Sequence, residues 1–293
     1  MTGTTLGFKN APMEPSFSII DNNGVLLQQQ GDDSFPLYSI TKTIIAALTV
    51  DMGVKITRPV ADWLDETWVS QGRDISVGQL LTHTSGLRDY FSVSDYRAAA
   101  DAGGTPWSDR RYADHTLMPP LLFEPGHGWA YSNPGFWSLK RICEIESGSS
   151  FASLVEERIS NRLDLPSLTV AGGIFSDQLP AYEAGWVWHG LVCGTAEDTA
   201  HFMASPLVAP LAESMVSVPN AGPTYPDAAY GLGVMGDMSG TNYGHNGSGP
   251  GFSTSCFHFP GSGITISYFM PSDGSDDAAY RGMVALAAQN NTI

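Results

Sequence analysis

The order in which its hydrophobic periods follow one another constrains this chain more than any other feature. Residues 17–20 and 25–29 read as two short strands around Asp21-Asn22-Asn23-Gly24, a loop with hairpin turn chemistry. A helical period then takes over near Ser39, with Ile40, Ile44, Ala47 and Leu48 at helical spacing and Gly53 placed to end the run. Further helices are expected over 77–83, with Ser76 as N-cap and Ser85-Gly86 as exit, over 137–146 up to Gly148, and over 151–163. Thr195, with Asp198 three residues on, resembles a capping box opening a helix to Met203. After Tyr225 the period changes. Residues 230–235, 252–259 and 264–269 read as strands between Gly/Pro turns, and the alanine-rich 277–289 as a closing helix. Strands at both ends with helices between them predict one mixed sheet built from both termini, with a helical region inserted. That places a sheet-containing α/β (α+β) region at 1–60 and 225–293, and a mostly helical region at 61–224.

Charge excludes whole classes of partner. The 293 residues carry 30 acidic against 14 basic side chains, for a net charge of −16. Between Arg162 and Arg281 there is no Lys or Arg, while eleven Asp or Glu occur. Nucleic acids and anionic membrane surfaces demand clustered cations, so neither is an expected partner. The hydrophobic fraction of 42% is ordinary for a folded domain. No apolar run approaches the ~18–20 residues of a transmembrane helix. Residues 1–17 are polar and interrupted by Pro12 and Pro15, without a signal-peptide h-region, so a cytoplasmic location is expected, with a periplasmic or secreted one the alternative if a signal was removed. Cys143, Cys193 and Cys256 are odd in number and widely spaced, which predicts free thiols.

Ser39-Ile40-Thr41-Lys42 is the most informative tetrapeptide. Positions i and i+3 share a helix face, so the hydroxyl and the amine can meet. Ser39 would lie at a helix N-terminus, where the macrodipole favours developing negative charge. A lysine enclosed beside Ile44 and Ile45 could lose its proton near neutral pH and activate the serine. Alone, the tetrapeptide is better read as an N-cap followed by a solvated lysine. Tyr131-Ser132-Asn133 offers a second proton-transfer group and an amide for a substrate carbonyl or for the lysine. Gly244-His245-Asn246-Gly247-Ser248-Gly249 enters a late strand whose glycines allow a substrate to approach backbone N–H groups.

With these three elements in that order, the sequence resembles the serine β-lactamase and penicillin-binding-protein superfamily, and most of all its class C β-lactamase, D-aminopeptidase and family VIII esterase branch. Leu80-Leu81-Thr82-His83-Thr84-Ser85-Gly86-Leu87, Glu124-Pro125-Gly126, Gly190-Leu191-Val192, Tyr230-Gly231-Leu232-Gly233 and Pro250-Gly251-Phe252 carry the resemblance from about Phe17 to the C-terminus. It implies an antiparallel sheet flanked by helices, joined to a mostly helical region, with the active site at their interface. It also implies Ser39 as acylated nucleophile, Lys42 as base or proton relay, and Tyr131 as general acid/base. Asn133 would bind substrate or orient Lys42, with His245, Gly247 and Ser248 also meeting substrate. The backbone N–H groups of Ser39 and Ser248 would form the oxyanion hole. His83 is read as structural. No metal and no cofactor is implied.

One departure bears on substrate. Relatives usually have Lys-Thr-Gly at the third element, where this chain has His245-Asn246-Gly247. A histidine carries full charge only well below neutral pH. Penicillins, cephalosporins and peptide C-termini all present a carboxylate, so the weaker cation favours neutral esters or amides, or substrates with a free amine. The expected function is therefore an esterase or D-amino acid amidase/peptidase acting on a small molecule or peptide. A β-lactamase or D-Ala-D-Ala carboxypeptidase, a transacylase with the same residues, and a non-catalytic binding protein are the alternatives. Oligomeric state is not legible. Gly231-Leu232-Gly233-Val234-Met235-Gly236 matches a dinucleotide fingerprint, but the turn residues after it leave no room for the required helix. No Gly-x-Ser-x-Gly elbow and no HExxH occur. The tryptophans are expected in the core or in pocket walls; Trp186 and Trp188 alternate as in a strand and could line the cleft.

Overall fold

A computed structural model describes residues 14–172, 183–219, 221, 225, 227–272, 277–290 and 292. The polar start read over 1–17 lies mostly outside the described residues. In chain order, β1 (Ser16–Ile20), β2 (Leu26–Gln30) and β3 (Phe35–Pro36) lead into α1 (Ile40–Asp51). Then come α2 (Val77–Leu81), α3 (Ser94–Asp101), α4 (Asp109–Thr116), α5 (Asn133–Ser147), α6 (Phe151–Val155) and α7 (Asn161–Leu163). The chain continues through β4 (Thr169–Val170), β5 (Val192–Gly194), α8 (Ala196–Met203), β6 (Val216–Ser217), β7 (Ala228–Tyr230) and β8 (Met235–Asp237). It ends with β9 (Tyr243–Gly249), β10 (Phe252–Phe259), β11 (Ile264–Pro271) and α9 (Ala278–Gln289).

Both termini do feed one antiparallel sheet, in the order β2-β1-β11-β10-β9-β8-β7-β6. Strands β1 and β10 are buried along most of their length, and β11 along half of its own, because helices cover both faces. On one face α9 sets Met283, Leu286 and Ala287 against Phe17, Ile19, Phe257 and Ile266. The other face meets α8 and α1, where the Cys256 thiol reaches the Thr199 carbonyl. A small second sheet, β3-β5-β4, ties the segment before α1 to the helical part.

Four local expectations change. The strand read over 230–235 is two strands, β7 and β8, because Gly231 and Gly233 turn the chain between them, with Gly231 N donating to Val234 O. The helix read over 151–163 contains one π-helical turn, Glu156–Ser160. At α8 the Thr195 hydroxyl caps Asp198 N, but the Asp198 carboxylate accepts from Ser167 N instead of closing a box. β6 joins the sheet ahead of residue 225 and α8 packs on it, so sheet and helical regions interleave more than a division at 60/61 and 224/225 allows. Cys143, Cys193 and Cys256 are free thiols.

Helix α1 sits between the sheet and the helical region and is buried from Ile40 through Thr49. The β7–β8 turn docks directly on it. Thr43 Oγ1 donates to Gly233 O at 2.8 Å, and Gly233 N donates to Leu81 O at 3.0 Å. Gly233 has φ +73°, and a Cβ there would fall 2.5 Å from Ala46 Cβ and 3.1 Å from Lys42 O. Gly233→Ala is expected to cost about 2–4 kcal/mol, from the left-handed backbone plus the overpacked contact. Gly240→Ala shares the positive φ (+70°) but meets nothing within 4 Å, so it should lose only the backbone part. Urea midpoints of the two variants check this, and equal losses would refute the docking argument.

Candidate active site

Ser39 is the N-cap residue of α1, and its side chain makes no capping bond. Its Oγ is free to face two other groups. Lys42 Nζ lies 2.9 Å away and Tyr131 OH donates to it at 2.8 Å. The residue before it, Tyr38, is held at φ +44°, an uncommon conformation for a non-glycine residue. Its hydroxyl bonds Pro250 O at 2.7 Å, and its ring occupies the space where a Cβ on Gly249 would stand, 2.2 Å from Tyr38 Cε1. A Cβ on Gly247 would fall 2.2 Å from Leu37 O. Strand β9 therefore closes on the segment leading to Ser39 through two glycines, and Ser248 lies between them in register with Ser253 of β10.

Lys42 is 0% exposed. Burial drives its amine well below the ordinary lysine value, and the Asp89 carboxyl opposes that shift. Its Nζ stands 5.0 Å from the centroid of the Tyr131 ring and 5.7 Å from that of Phe136. The amine also faces His189 Nε2 at 3.3 Å, and that nitrogen lies 3.3 Å from Tyr38 O. A proton on Nε2 would serve the carbonyl, which can only accept, whereas a lone pair on Nε2 would serve Lys42 Nζ as donor.

Asn133 does not stand alone in the site. Its backbone N and its Nδ2 both donate to Asp89 Oδ2 at 2.8 Å, and Phe91 N donates to Oδ1 at 2.9 Å. Burial raises the Asp89 carboxyl above its ordinary value, while these N–H groups favour its ionised form. Asn133 thus reaches Lys42 electrostatically, through the carboxylate it holds.

His245 is a correction. Expected to meet substrate, it is 1% exposed and both ring nitrogens are occupied. Nδ1 lies 2.5 Å from Asn246 O and so carries the proton, which leaves Nε2 to accept from Tyr230 OH at 2.9 Å. Burial, with Lys42 second, lowers its pKa to about 3. The neighbouring Asn246 amide is equally engaged, with Ser255 and Tyr225. Trp186 and Trp188 take the core place, one of the two expected for the tryptophans. Trp186 ends a 3-10 turn, Ala184–Trp186, and Trp188 stacks on Tyr112 at 4.1 Å.

His83, read as structural, shapes the site directly. In a left-handed conformation (φ +59°), it accepts from Ala130 N through its carbonyl and from Ser132 N through Nδ1. Its ring lies 4.3 Å from that of Tyr131, between the two bonds that grip the Tyr131 backbone on either side. Asp89 and His189 are the side chains that sequence reasoning passed over. Asp89 follows the Ser85-Gly86-Leu87 stretch and His189 precedes Gly190-Leu191-Val192, so their place beside matched text is the one signal they gave.

A serine oxygen shared by a buried amine and a tyrosine hydroxyl, set between an antiparallel sheet and a helical region, defines the class of the site. A family model described as Beta-lactamase matches residues 17–290, and the chain belongs to that family. It is 31% identical over 97 residues to the lovastatin esterase of Penicillium rubens, a match covering 32% of this chain and 23% of that protein. Over 149 residues it is 29% identical to esterase EstB of Burkholderia gladioli, covering 46% and 38% respectively. The matches thus take in well under half the length of these curated relatives. The crystal structure of a D-stereospecific amidohydrolase from Streptomyces sp. superposes with a TM-score of 0.74 at 22% identity, covering 92% of this chain and 93% of the other. Among the described residues no group of His, Cys, Asp or Glu could hold a metal ion, and no helix is long and apolar enough to cross a membrane.

Three buried imidazoles, His83, His189 and His245, are held neutral, with burial the main cause for each. In the unfolded chain they titrate near 6.5, so below that pH the unfolded state takes up protons that the native state refuses. Stability should therefore fall as pH drops from 6.5 towards the folded values, about 3 for His245. Each group contributes up to ~1.4 kcal/mol per pH unit. Urea unfolding at pH 7, 6 and 5 measures the slope, and His245→Gln should reduce it by about one proton. An unchanged slope in that variant would mean that the ring is protonated in the native state.

Proposed function

We propose that this protein is a serine hydrolase that cleaves ester or amide bonds through an acyl-enzyme on Ser39, acting on neutral or cationic small molecules or peptides. The observation that carries this reading is the pair of contacts on one oxygen, Lys42 Nζ at 2.9 Å and Tyr131 OH at 2.8 Å. In the forward step Ser39 Oγ attacks the acyl carbon while its proton passes to the Lys42 amine. The amine is the nearby acceptor for it, and burial drives its pKa well below the ordinary lysine value. The N–H groups of Ser39 and Ser248 receive the developing oxyanion, and the α1 N-terminus adds to the same field. Tyr131, hydrogen-bonded to Oγ, relays the proton to the leaving group as the carbonyl re-forms. A water then enters along the same path in reverse, with its proton taken by Tyr131 or Lys42. The relatives named as esterases and as a D-stereospecific amidohydrolase agree with this chemistry.

The substrate-charge preference rests on the third element. With His245 neutral and turned to Tyr230, no cation is offered there to a substrate carboxylate. Among acyl compounds, a short-chain neutral nitrophenyl ester should therefore exceed nitrocefin in kcat/KM. The opposite ranking would favour a β-lactamase or D-Ala-D-Ala carboxypeptidase.

The decisive experiment is mass spectrometry after treatment with a fluorophosphonate. A single adduct on Ser39, absent in Ser39→Ala, is expected. A folded protein without the adduct would favour a non-catalytic binding role, and accelerated turnover on adding an alcohol or amine would indicate transacylation. Tyr131→Phe should lower kcat at least 100-fold with the fold intact. Asp89→Asn removes the charge that favours the Lys42 ammonium, so the acid limb of the kcat/KM profile should move to lower pH. A limb that stays or moves up would contradict the assignment of Lys42 as the base.

A further inference from the structure

Resting on the hydrolase reading above, we propose that the substrate carries a neutral aromatic group, bound in a cavity whose wall Tyr131 shares with Tyr225 and Tyr230. The cavity encloses about 210 Å³. An apolar hole of ~150 Å³ is enough to hold benzene, so a phenyl or naphthyl group fits. Trp129, Tyr131, Tyr225, Tyr230, Phe257 and Tyr280 line it, which offers a bound ring both edge and face contacts. Met235 adds a deformable thioether to the same wall. Tyr131 links the cavity to the chemistry. Its hydroxyl lies 2.8 Å from Ser39 Oγ; Ser39 and Lys42 are not among the described lining residues, so Tyr131 is the side chain that the cavity and the reacting atom share.

The third motif explains how the cavity is held. Both polar side chains of His245-Asn246-Gly247 bond tyrosines of its wall. His245 Nε2 accepts from Tyr230 OH at 2.9 Å, and Asn246 Nδ2 donates to Tyr225 OH at 2.9 Å. Tyr225 in turn packs on Tyr280, with ring centroids 4.7 Å apart. His245, expected to meet substrate directly, instead joins Asn246 in fixing the orientation of two aromatic walls. No Lys, Arg or His is among the described lining residues, and the one carboxylate there belongs to Asp237. That carboxylate accepts from Ser239, Thr241 and Asn242, which commits it to its own turn. It takes no ligand of its own, but its charge disfavours a second carboxylate in the cavity.

Equilibrium titration of the full chain with naphthalene-2-carboxamide and with 2-naphthoate, by calorimetry and tryptophan fluorescence, tests the proposal. Saturable binding of the carboxamide is expected, with the naphthoate at least tenfold weaker. Met235→Trp and Ala228→Phe each fill the cavity from a different strand, and either should weaken carboxamide binding at least tenfold in protein shown to be folded by thermal unfolding. Absence of saturable carboxamide binding, equal affinity for the naphthoate, or wild-type affinity in a folded cavity-filling variant would each overturn it. Binding needs no turnover, so these outcomes are separate from the Ser39 adduct that tests the hydrolase reading.

Discussion

The enclosed amine of Lys42 sets the terms for everything built around it. A lone ammonium in an apolar interior is costly by many kcal/mol, so the group persists there as an amine or in balance with a carboxylate. Helix α1 brings it inside because that helix is packed on all sides, between β9 and β10 on one flank and α5 and α6 on the other. The polar groups that meet the amine carry no added positive charge. Ser39 presents its hydroxyl, Tyr131 its ring at 5.0 Å, and His189 a neutral imidazole. The Asp89 carboxyl opposes the loss of the proton.

Holding hydroxyls against such an amine needs backbone that relaxed chains avoid. Tyr38 and His83 both adopt left-handed conformations, at roughly 1–3 kcal/mol each, and each stands beside one of the hydroxyl-bearing residues. Tyr38 is pinned by Pro250 and by the bare backbone of Gly249, which fixes the direction in which α1 begins and hence where Ser39 Oγ points. His83 grips the backbone at Ala130 and Ser132, which leaves the Tyr131 side chain little freedom. Glycines at 233 and 247 let the β7–β8 turn and β9 approach α1 and its lead-in closely. Local stability is given up at these positions, and the large buried core elsewhere carries the fold.

Much of this was legible from residue order. Period and turn chemistry located β10 and α9 almost to the residue, because a strand between two turns and an alanine-rich terminal helix need no tertiary information. Ser39 and Lys42 follow from i, i+3 geometry, and Tyr131 from its place in a matched motif. What failed depended on contacts distant in sequence. Gly231 and Gly233 look like strand residues until the turn docks on Ala46. Asp89 and His189 come from loops without periodicity, and their importance lies in partners 44 and 147 residues away. His245 was found, yet its ring direction was not, since that depends on a tyrosine arriving from β7.

The histidine at 245 also bears on how Lys42 works under the proposed mechanism. A lysine there would bring a second ammonium into one enclosure, and each charge would lower the affinity of the other group for a proton. With a neutral imidazole, desolvation is left as the main force that strips Lys42 of its proton, with Asp89 pulling the other way. That balance suits a base that must gain a proton at the moment of attack. The ammonium forms as Ser39 loses its proton, and Asp89, already held by Asn133 and Phe91, interacts with it most strongly at that stage. An interaction stronger in the transition state than in the resting site accelerates the step, whereas the same carboxylate beside a permanently charged lysine would only stabilise the ground state.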